Sequence, residues 1–434
     1  MGDFIWIGKT DTPKILWDSN GEGFEELMDA VKDEFSAEHS SILFRKECLL
    51  PQPVVKATVA VCGLGFYQMY LNGQKVGDAV LSPLETHYRR LVLYDEFDVT
   101  DKIRTGANVF AVEVGNGRYS TPKKYRNWRA AWYGDPCLTA KITLTFADDT
   151  TEVISTDETW KCSYGAIFEN CYYDGEARDG RREQEGWMEA GFRDSSWQPA
   201  LRVEAPCDNV QKNSYFHIKK VRERKPVGVY PIEKGKTVYD FGENHPGWVK
   251  LLVRGEAGAE VTIQYGERIT EDGRLNSVSN KRALNTDRYI LNEEPLQEYE
   301  PMFTLHGFSA AEVTCEEGNV EVVEIVAYEV HAALEERGSF FCDSPELMRL
   351  HDVILRTQRS ALMSAPYDCL QRDERLGWLG DAHVTDLTCL YNYDMQNFYK
   401  KWLEDMRLNA HTETGAIPFI VPWHIVNHAI VFSS

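Results

Sequence analysis

Short apolar stretches separated by turn residues fill residues 41–160, and this pattern constrains the fold more than any other feature of the chain. The segment KATVAVCGLGFYQMYLNGQKVGD holds two runs of alternating apolar residues, with Asn72-Gly73 as a turn signal. A type I′ hairpin turn needs positive φ at both central residues, which asparagine and glycine tolerate. Asp148-Asp149 stands between a further pair of alternating strands. Many short strands at this spacing predict a β-sandwich or a jelly roll.

A second β-rich region follows a loop-rich, polar stretch at residues 161–210. Residues 211–335 return to strand-like alternation, and Asp272-Gly273 is another turn signal. The pattern becomes helical near residue 340. Ser344-Pro345-Glu346 is typical of a helix start, with a serine cap, a proline at the first helical position and an acid in the first turn. Helical spacing then continues to about Gly415.

These regions predict three domains in 434 residues, close to the usual length of about 150 residues per domain. We expect an N-terminal jelly-roll β-domain at 1–210, a β-sandwich domain at 211–335 and a helical domain at 336–434. The fold class is therefore multidomain and mainly β.

The net charge of −21 argues against nucleic acid or an anionic membrane as a partner, because both select for basic patches. The charge fits a neutral substrate such as a sugar, and it equally fits an acidic surface that maintains solubility. No apolar run reaches the roughly 18 residues that cross a bilayer. The N-terminus lacks the pattern of a secretory signal.

The ten cysteines are scattered singly, without a CxxC pair. This spacing argues against a metal site and against a dense disulfide framework. We therefore expect no metal, free thiols and a cytoplasmic location.

The densest polar cluster runs from Tyr367 to Asp381, with four carboxylates, two arginines and one tryptophan in 15 residues. Glycoside cleavage typically needs one carboxylic acid that protonates the leaving oxygen and a second carboxylate that activates water or attacks the sugar. Crowded acids raise the pKa of one member, and arginines hold the others ionised. The same composition also suits a solvated face with surface ion pairs, so both interpretations stay open at this point.

The wording of this cluster, DCLQRDERLGWLGDAHV, resembles the DCPQRDERLGWTGDA-type motif of bacterial α-L-rhamnosidases, glycoside hydrolase family 78, with Leu370 in place of the usual proline. Similarity continues in FYKKWLEDMRLNAHTETGAIPFIVP, and upstream in FYQMYLNGQKVGD, YDFGENHPGW and EYEPMFTLHGFSAAEV, where Ser309 replaces the usual arginine. YDGEARDGRREQEGW resembles a further family segment with an altered Asp179-Gly180-Arg181. The resemblance covers about residues 41–423 and implies that the helical region opens an (α/α)6 barrel.

Matched residue by residue, the resemblance implies that Glu374 is the general acid. It implies that Asp368, Arg372, Trp378 and Asp381 bind a terminal α-L-rhamnose of a glycoside or oligosaccharide, without a cofactor. Each of the four has a structural alternative. Asp368 and Asp381 could cap helices, Arg372 could form a structural ion pair, and Trp378 could belong to a core.

Other aromatic and histidine side chains have more ordinary interpretations. We expect core packing rather than sugar binding for Trp128, Trp132, Trp187 and Trp197. We expect loop or core roles rather than metal binding for His245, His306 and His383.

The resemblance also implies an inverting mechanism, whose general base is a glutamate well beyond the acid in sequence. No position in 375–434 matches that base. Two accounts follow. The chain is a fragment with little or no rhamnosidase activity, whose apolar helix faces favour a homo-oligomer. Alternatively, it is a carbohydrate-binding or scaffold protein with a remnant catalytic loop.

Overall fold

The structure, a computed structural model, describes residues 4–10, 40–122, 133–315, 320–412 and 414–423. The chain divides into two compact units. Among the described residues, unit 1 comprises those up to Tyr172 together with Glu176–Asn213, and unit 2 comprises Tyr173–Gly175 together with those from Ser214 onwards. The division into three domains at 210 and 335 stays a prediction.

Unit 1 contains two β-sheets. The first fifteen strands of the chain are β1 (Trp6–Gly8), β2 (Ile42–Leu50), β3 (Val54–Leu64), β4 (Tyr67–Leu71), β5 (Gln74–Lys75), β6 (Val92–Asp98), β7 (Gly106–Val114), β8 (Cys137–Phe146), β9 (Thr151–Ser155), β10 (Lys161–Tyr164), β11 (Ile167–Cys171), β12 (Gly175–Asp179), β13 (Gln198–Pro199), β14 (Leu201–Val203) and β15 (Val210–Lys212). One sheet has the order β14-β1-β8-β3-β6-β15, with β9 beside β8, and the other has the order β13-β10-β2-β7-β4-β5. Inward-facing side chains of both sheets, among them Phe44, Val61, Val112 and Trp160, form one buried core.

The predicted Asn72-Gly73 hairpin turn is confirmed. Asn72 has φ +53° and Gly73 has φ +79°, and the turn joins β4 to β5. The Asn72 side chain also accepts the Val109 N–H at 2.9 Å, which ties the turn to β7. Asp149, with φ +62°, likewise occupies the predicted turn between β8 and β9.

Unit 2 begins with one large β-sheet and a separate two-stranded sheet. Its strands are β16 (Ile218–Arg224), β17 (Gly228–Glu233), β18 (Lys236–Arg254), β19 (Glu260–Gly266), β20 (Arg268–Ile269), β21 (Leu275–Asn276), β22 (Thr286–Ile290), β23 (Gln297–Tyr299), β24 (His306–Cys315) and β25 (Glu321–Ala332). Within this unit the order is β22-β19-β24-β18-β25-β16, and β17 and β23 also pair with β18. The long strand β18 changes its register against β24 between Asp240 and His245. It can therefore pair with several strands along its length.

Three α-helices follow: α1 (Pro345–Ala361), α2 (Leu379–Asn392) and α3 (Gln396–Asn409). The predicted start of α1 is confirmed, because the Ser344 side chain accepts the Leu347 N–H and Pro345 occupies the first turn. The prediction that helical structure continues to Gly415 is wrong. Ala410 is extended, and the His411 N–H bonds to the Ala416 carbonyl in a turn.

The observed order of elements, β-rich parts followed by helices, confirms the predicted mainly β fold class. The helices of unit 2 contact one another and the segment that precedes β16. The Phe398 ring of α3 stacks on Phe216 at 4.9 Å, and the Tyr393 hydroxyl donates to the Leu355 carbonyl of α1. Among the described residues, none of the helices combines the length and the hydropathy that crossing a membrane requires.

The ordinary interpretations of the tryptophans and histidines agree with the structure where it describes them. Trp187 and Trp197 are buried together, with ring centroids 6.0 Å apart. His245 and His306 are also buried, whereas His383 lies on the exposed side of α2. Trp128 and Trp132 lie outside the described residues.

A buried carboxyl group makes the stability of unit 1 sensitive to pH. Glu113 on β7 is 8% exposed and accepts the Ser41 hydroxyl at 2.6 Å. Burial raises the pKa of Glu113 to about 7, and the neighbouring Arg178 opposes this rise. The carboxyl pKa of the unfolded chain is 4.5. A pKa raised by folding contributes stability that is fully present below pH 4.5 and is lost as the pH rises through 7.

We therefore predict that Glu113→Gln removes a pH-dependent loss of stability. Between pH 4.5 and pH 8, the free energy of unfolding of the unmodified chain should fall by about 3 kcal/mol more than that of the variant. Urea denaturation at both pH values measures the difference. Glu152→Gln, on the exposed strand β9, is the matched control and should follow the unmodified chain. Parallel pH dependences for the unmodified chain and Glu113→Gln would contradict the prediction.

Candidate active site

The predicted catalytic cluster lies in the segment between α1 and α2. We call residues 368–378 the acid loop. The loop closes on itself, because the Asp368 N–H donates to the Leu376 carbonyl at 3.0 Å and the Leu376 N–H donates to Asp368 Oδ1 at 2.8 Å. Arg375 has φ +56°, which no α-helix contains. The acid loop is therefore not helical.

The far end of the acid loop rests on residues 419–421. The Val421 N–H donates to the Gly377 carbonyl at 2.9 Å, and Trp378 pairs with Ile420 in a short β-bridge. A Cβ atom at Gly377 would lie 2.1 Å from the Val421 carbonyl oxygen. This close approach explains the need for glycine between Leu376 and Trp378.

Four of the five predicted site residues meet in the acid loop. Ligand atoms of Asp368, Cys369 and Glu374 lie within 4.8 Å of one another. The Trp378 indole N–H donates to Glu374 Oε1 at 3.2 Å. Arg372 Nη2 lies 3.9 Å from Asp368 Oδ2, at the outer limit of an ion pair.

Asp381 is separate from this group. It is exposed in the first turn of α2, and its backbone carbonyl accepts the Thr385 hydroxyl at 3.0 Å. Within the described ranges it makes no hydrogen bond or ion pair with the other four residues. The helix-cap alternative for Asp381 is wrong, because Trp378 occupies the cap position without a side-chain bond. The cap alternative for Asp368 is also wrong, since its carboxylate binds a loop N–H.

Burial, more than crowding by other acids, governs the electrostatics of the loop. Loss of hydration raises the pKa of Asp368, while the Leu376 N–H and then Arg372 oppose the rise. Burial also raises the pKa of the Cys369 thiol to about 12, and the adjacent Asp368 adds to the effect. The thiol is therefore protonated near neutral pH. It accepts the Arg375 N–H at 3.4 Å.

Asp368, Cys369 and Glu374 have the donor atoms and the proximity that a metal ion requires. The raised thiol pKa does not decide metal binding, because a bound metal ion would itself displace the thiol proton. We assign no metal here, and the sequence-based expectation of a metal-free site stays a prediction.

The two arginines of the cluster have different surroundings. The Arg375 side chain is completely buried. Its guanidinium donates to the Leu305 carbonyl, to the Arg372 carbonyl at 2.9 Å and to Asn285 Oδ1 at 2.8 Å. These bonds anchor the acid loop to the β-sheet of unit 2, and the expectation that the arginines hold carboxylates ionised stays a prediction for Arg375.

The acid loop also touches the start of β24. A Cβ atom at Gly307 would lie 2.8 Å from Leu370 Cβ and 3.0 Å from the Gln371 nitrogen. Glycine at this position lets the two backbones approach.

Sequence reasoning missed the residues that support the loop from the sheet. Three residues contact or support the acid loop, although they precede it by more than 60 residues: Asn285, His306 and Gly307. The sequence carried a signal for two of them, because His306 and Gly307 lie in EYEPMFTLHGFSAAEV, which resembles a family segment. Asn285 lies outside the segments that resemble the family.

Three domain models of one protein family match this chain. The bacterial α-L-rhamnosidase N-terminal domain matches residues 52–222, the concanavalin-like domain matches 231–331, and the six-hairpin glycosidase domain matches 335–431. The chain belongs to the bacterial α-L-rhamnosidase family. The last match confirms that the helices of unit 2 belong to a six-hairpin, (α/α)6-type domain.

The individual relatives that match this chain are also α-L-rhamnosidases. An α-L-rhamnosidase of Formosa agariphila is 34% identical over 385 residues, which is 86% of this chain and 40% of the relative. The structure of an α-L-rhamnosidase from Dictyoglumus thermophilum has 37% identity and a TM-score of 0.86, over 97% of this chain and 46% of that one. A Streptomyces avermitilis α-L-rhamnosidase complexed with L-rhamnose has 32% identity and a TM-score of 0.83, over 88% and 37%. The chain spans less than half the length of these relatives.

We predict that Gly307→Ala disturbs the acid loop. The added methyl group should push against Leu370 and Gln371 and lower the free energy of unfolding by about 1–3 kcal/mol, as overpacking does. Gly380→Ala in α2 is the control, because nothing lies within 4 Å of its Cβ position and alanine favours a helix. Urea denaturation of both variants checks the prediction. Equal stability of Gly307→Ala and the unmodified chain would show that the contact is not tight.

Proposed function

We propose that this chain carries the acid side of the active site of an inverting α-L-rhamnosidase, which hydrolyses terminal α-L-rhamnose from glycosides. The observation that carries the proposal is the proximity of the Glu374 and Asp368 carboxylates in the acid loop, with the Trp378 indole N–H bonded to Glu374. Family membership supports the reaction class. The solved structure of the Streptomyces avermitilis relative is a complex with L-rhamnose, which supports L-rhamnose as the sugar.

Glu374 is the general acid of this proposal. It donates a proton to the glycosidic oxygen as the bond to the sugar breaks. The Trp378 indole N–H can only donate, so Glu374 Oε1 is the acceptor of that bond. The transferable proton therefore belongs on Oε2. The same bond fixes the direction in which the carboxyl group points.

Asp368, Arg372, Trp378 and Asp381 form the sugar-binding side of the proposal. Hydrogen bonds from sugar hydroxyls to a carboxylate are charge-assisted and stronger than neutral ones. Asp368 and Arg372 are close enough to act on neighbouring hydroxyls. Trp378 offers an apolar face to the sugar ring or its methyl group. Asp381, at the start of α2, would reach the sugar from the opposite end of the loop.

Inversion needs a general base about 6.5–9.5 Å from the acid, on the other side of the sugar. The family resemblance implies a glutamate later in the barrel, and no position in 375–434 matches it. Low activity of the 434-residue chain alone therefore stays a prediction. The second candidate is a carbohydrate-binding or scaffold role, which predicts L-rhamnose binding without turnover by any natural form of the protein.

We predict that Glu374→Gln, in the protein from the longest native reading frame, lowers kcat on natural rhamnosides by about 10²–10⁴-fold. Rhamnosides with a good leaving group, such as 2,4-dinitrophenol, need little proton transfer and should lose much less activity. Steady-state kinetics on both substrate types measures this difference.

Glu404→Gln, at an exposed ion pair on α3, is the control and should retain normal kinetics. A Glu374→Gln variant that hydrolyses natural rhamnosides at the normal rate would rule Glu374 out as the acid. An unmodified protein without any rhamnoside hydrolysis would refute the proposed reaction.

The proposed location is the cytoplasm, and the proposed partner is a rhamnose-containing glycoside, with neither nucleic acid nor membrane. The ten cysteines, all free thiols, support a reducing compartment. We also propose self-association. Leu350 on α1 and Leu387 on α2 are 54% and 63% exposed, on faces with further exposed apolar residues.

We predict that the 434-residue chain forms oligomers through these helix faces. Leu350→Lys combined with Leu387→Lys should shift the mass in solution towards the monomer, because charges oppose apolar contact. Light scattering after size exclusion measures the mass. Val227→Lys, at a residue that is 74% exposed in the sheet part of unit 2, is the control and should not change it. A monomeric unmodified chain at high concentration would contradict the prediction.

A further inference from the structure

A completely buried polar network lies behind the acid loop in unit 2. Asn285, Asp287 and His306 each have 0% exposure. His306 Nδ1 lies 3.0 Å from Asn285 Oδ1, and His306 Nε2 lies 3.1 Å from Asp287 Oδ1. The Tyr265 ring stacks on the imidazole at 3.9 Å. Buried polar groups lower stability unless their hydrogen bonds are complete, so each donor in this network must face an acceptor.

The orientation of the Asn285 amide follows from the acid loop. Its Nδ2 donates to the Gln371 carbonyl at 2.6 Å, which only an N–H group can do. Its Oδ1 accepts the Arg375 guanidinium at 2.8 Å, and a guanidinium can only donate. Both contacts give the same orientation. Asn285 therefore binds two points of the acid loop, one on each side of Glu374 in sequence.

The orientation of His306 follows from that of Asn285. Its Nδ1 faces Asn285 Oδ1, an acceptor, and its Nε2 faces a carboxylate oxygen of Asp287. The other Asp287 oxygen accepts the Tyr265 hydroxyl at 2.6 Å, and the Tyr265 oxygen in turn accepts the Val249 N–H at 3.1 Å. Because Asn285 Oδ1 can only accept, Nδ1 of His306 is the donor of the bond between these two atoms.

We propose that Asn285 is a positioning residue for Glu374, held in its orientation by His306 and Asp287. A ring that carries its proton on Nδ1 cannot accept there, so it disfavours a flipped amide that would turn N–H groups towards His306 and Arg375. The correct orientation supplies an N–H donor to the Gln371 carbonyl. The catalytic consequence rests on the proposed function, whereas the positioning itself does not.

Asn285→Asp tests the donor alone. Asparagine and aspartate have nearly the same shape, and both tolerate the φ of +44° found at this position. A carboxylate still accepts from Arg375 and His306 but cannot donate to the Gln371 carbonyl. The new negative charge lies beside the Arg375 guanidinium, which compensates for its burial.

The matched control is Asn280→Asp. Asn280 is also a buried asparagine of unit 2, and its Nδ2 donates to a backbone carbonyl, that of Tyr265, at 2.9 Å. It makes no hydrogen bond to the acid loop within the described residues. Both variants therefore lose the same kind of bond, but only one of these bonds reaches the loop.

The experiment measures hydrogen exchange of the Leu376 amide, which closes the acid loop on Asp368. We expect about tenfold faster exchange in Asn285→Asp and no change in Asn280→Asp. No change in Asn285→Asp, or an equal increase in both variants, would overturn the proposal.

A second measurement needs no folded variant of Asn285. In the ¹⁵N spectrum of histidine-labelled unmodified chain, with His306→Gln for assignment, the Nδ1 nitrogen of His306 should be of the protonated type. An unprotonated Nδ1 would overturn the proposal. In a protein that hydrolyses rhamnosides, Asn285→Asp should lower kcat by about tenfold and leave KM within about twofold. If the unmodified protein lacks hydrolysis, the proposed function fails, while exchange and spectrum still decide this inference.

Discussion

The buried guanidinium of Arg375 is the interaction on which the arrangement of the acid loop depends. A permanently charged group inside unit 2 must satisfy its donors, and it does so on carbonyl and amide oxygens of the loop and the sheet. These bonds join the Arg372 backbone to Leu305 and Asn285. A loop without regular secondary structure thereby acquires a defined position against a rigid sheet, which a general acid needs.

The same attachment explains the pattern of glycine and burial around the loop. Gly307 and Gly377 lie where backbones approach too closely for a side chain. The loop is consequently pressed against its supports, and Asp368 and Cys369 lose most of their hydration. The pKa shifts of these groups are thus consequences of packing. Glu374 and Asp381 remain accessible at its solvent side.

Features that depend on neighbouring residues were predictable from the sequence. The Asn72-Gly73 turn and the Ser344 cap involve bonds and backbone angles within a few residues, so local chemistry specified them. The end of α3 was not predictable in this way. Residues 410–415 have no strong helix breaker before Gly415, yet Ala410 is extended and Asn409 Oδ1 accepts the Trp423 N–H from a later segment. A contact between distant residues decided where the helix stops.

For the site, the sequence by itself determined which residues form the acid loop and which family the motif resembles. The chemistry of a carboxylate or an indole is fixed by the residue type alone. Only the tertiary structure decided which way each side chain points. It separated Arg375 from Arg372, removed the helix-cap roles of Asp368 and Asp381, and brought Asn285 and His306 behind the loop. The reason is physical: buried hydrogen bonds between residues about 90 positions apart depend on strand register and backbone approach, which no local pattern encodes.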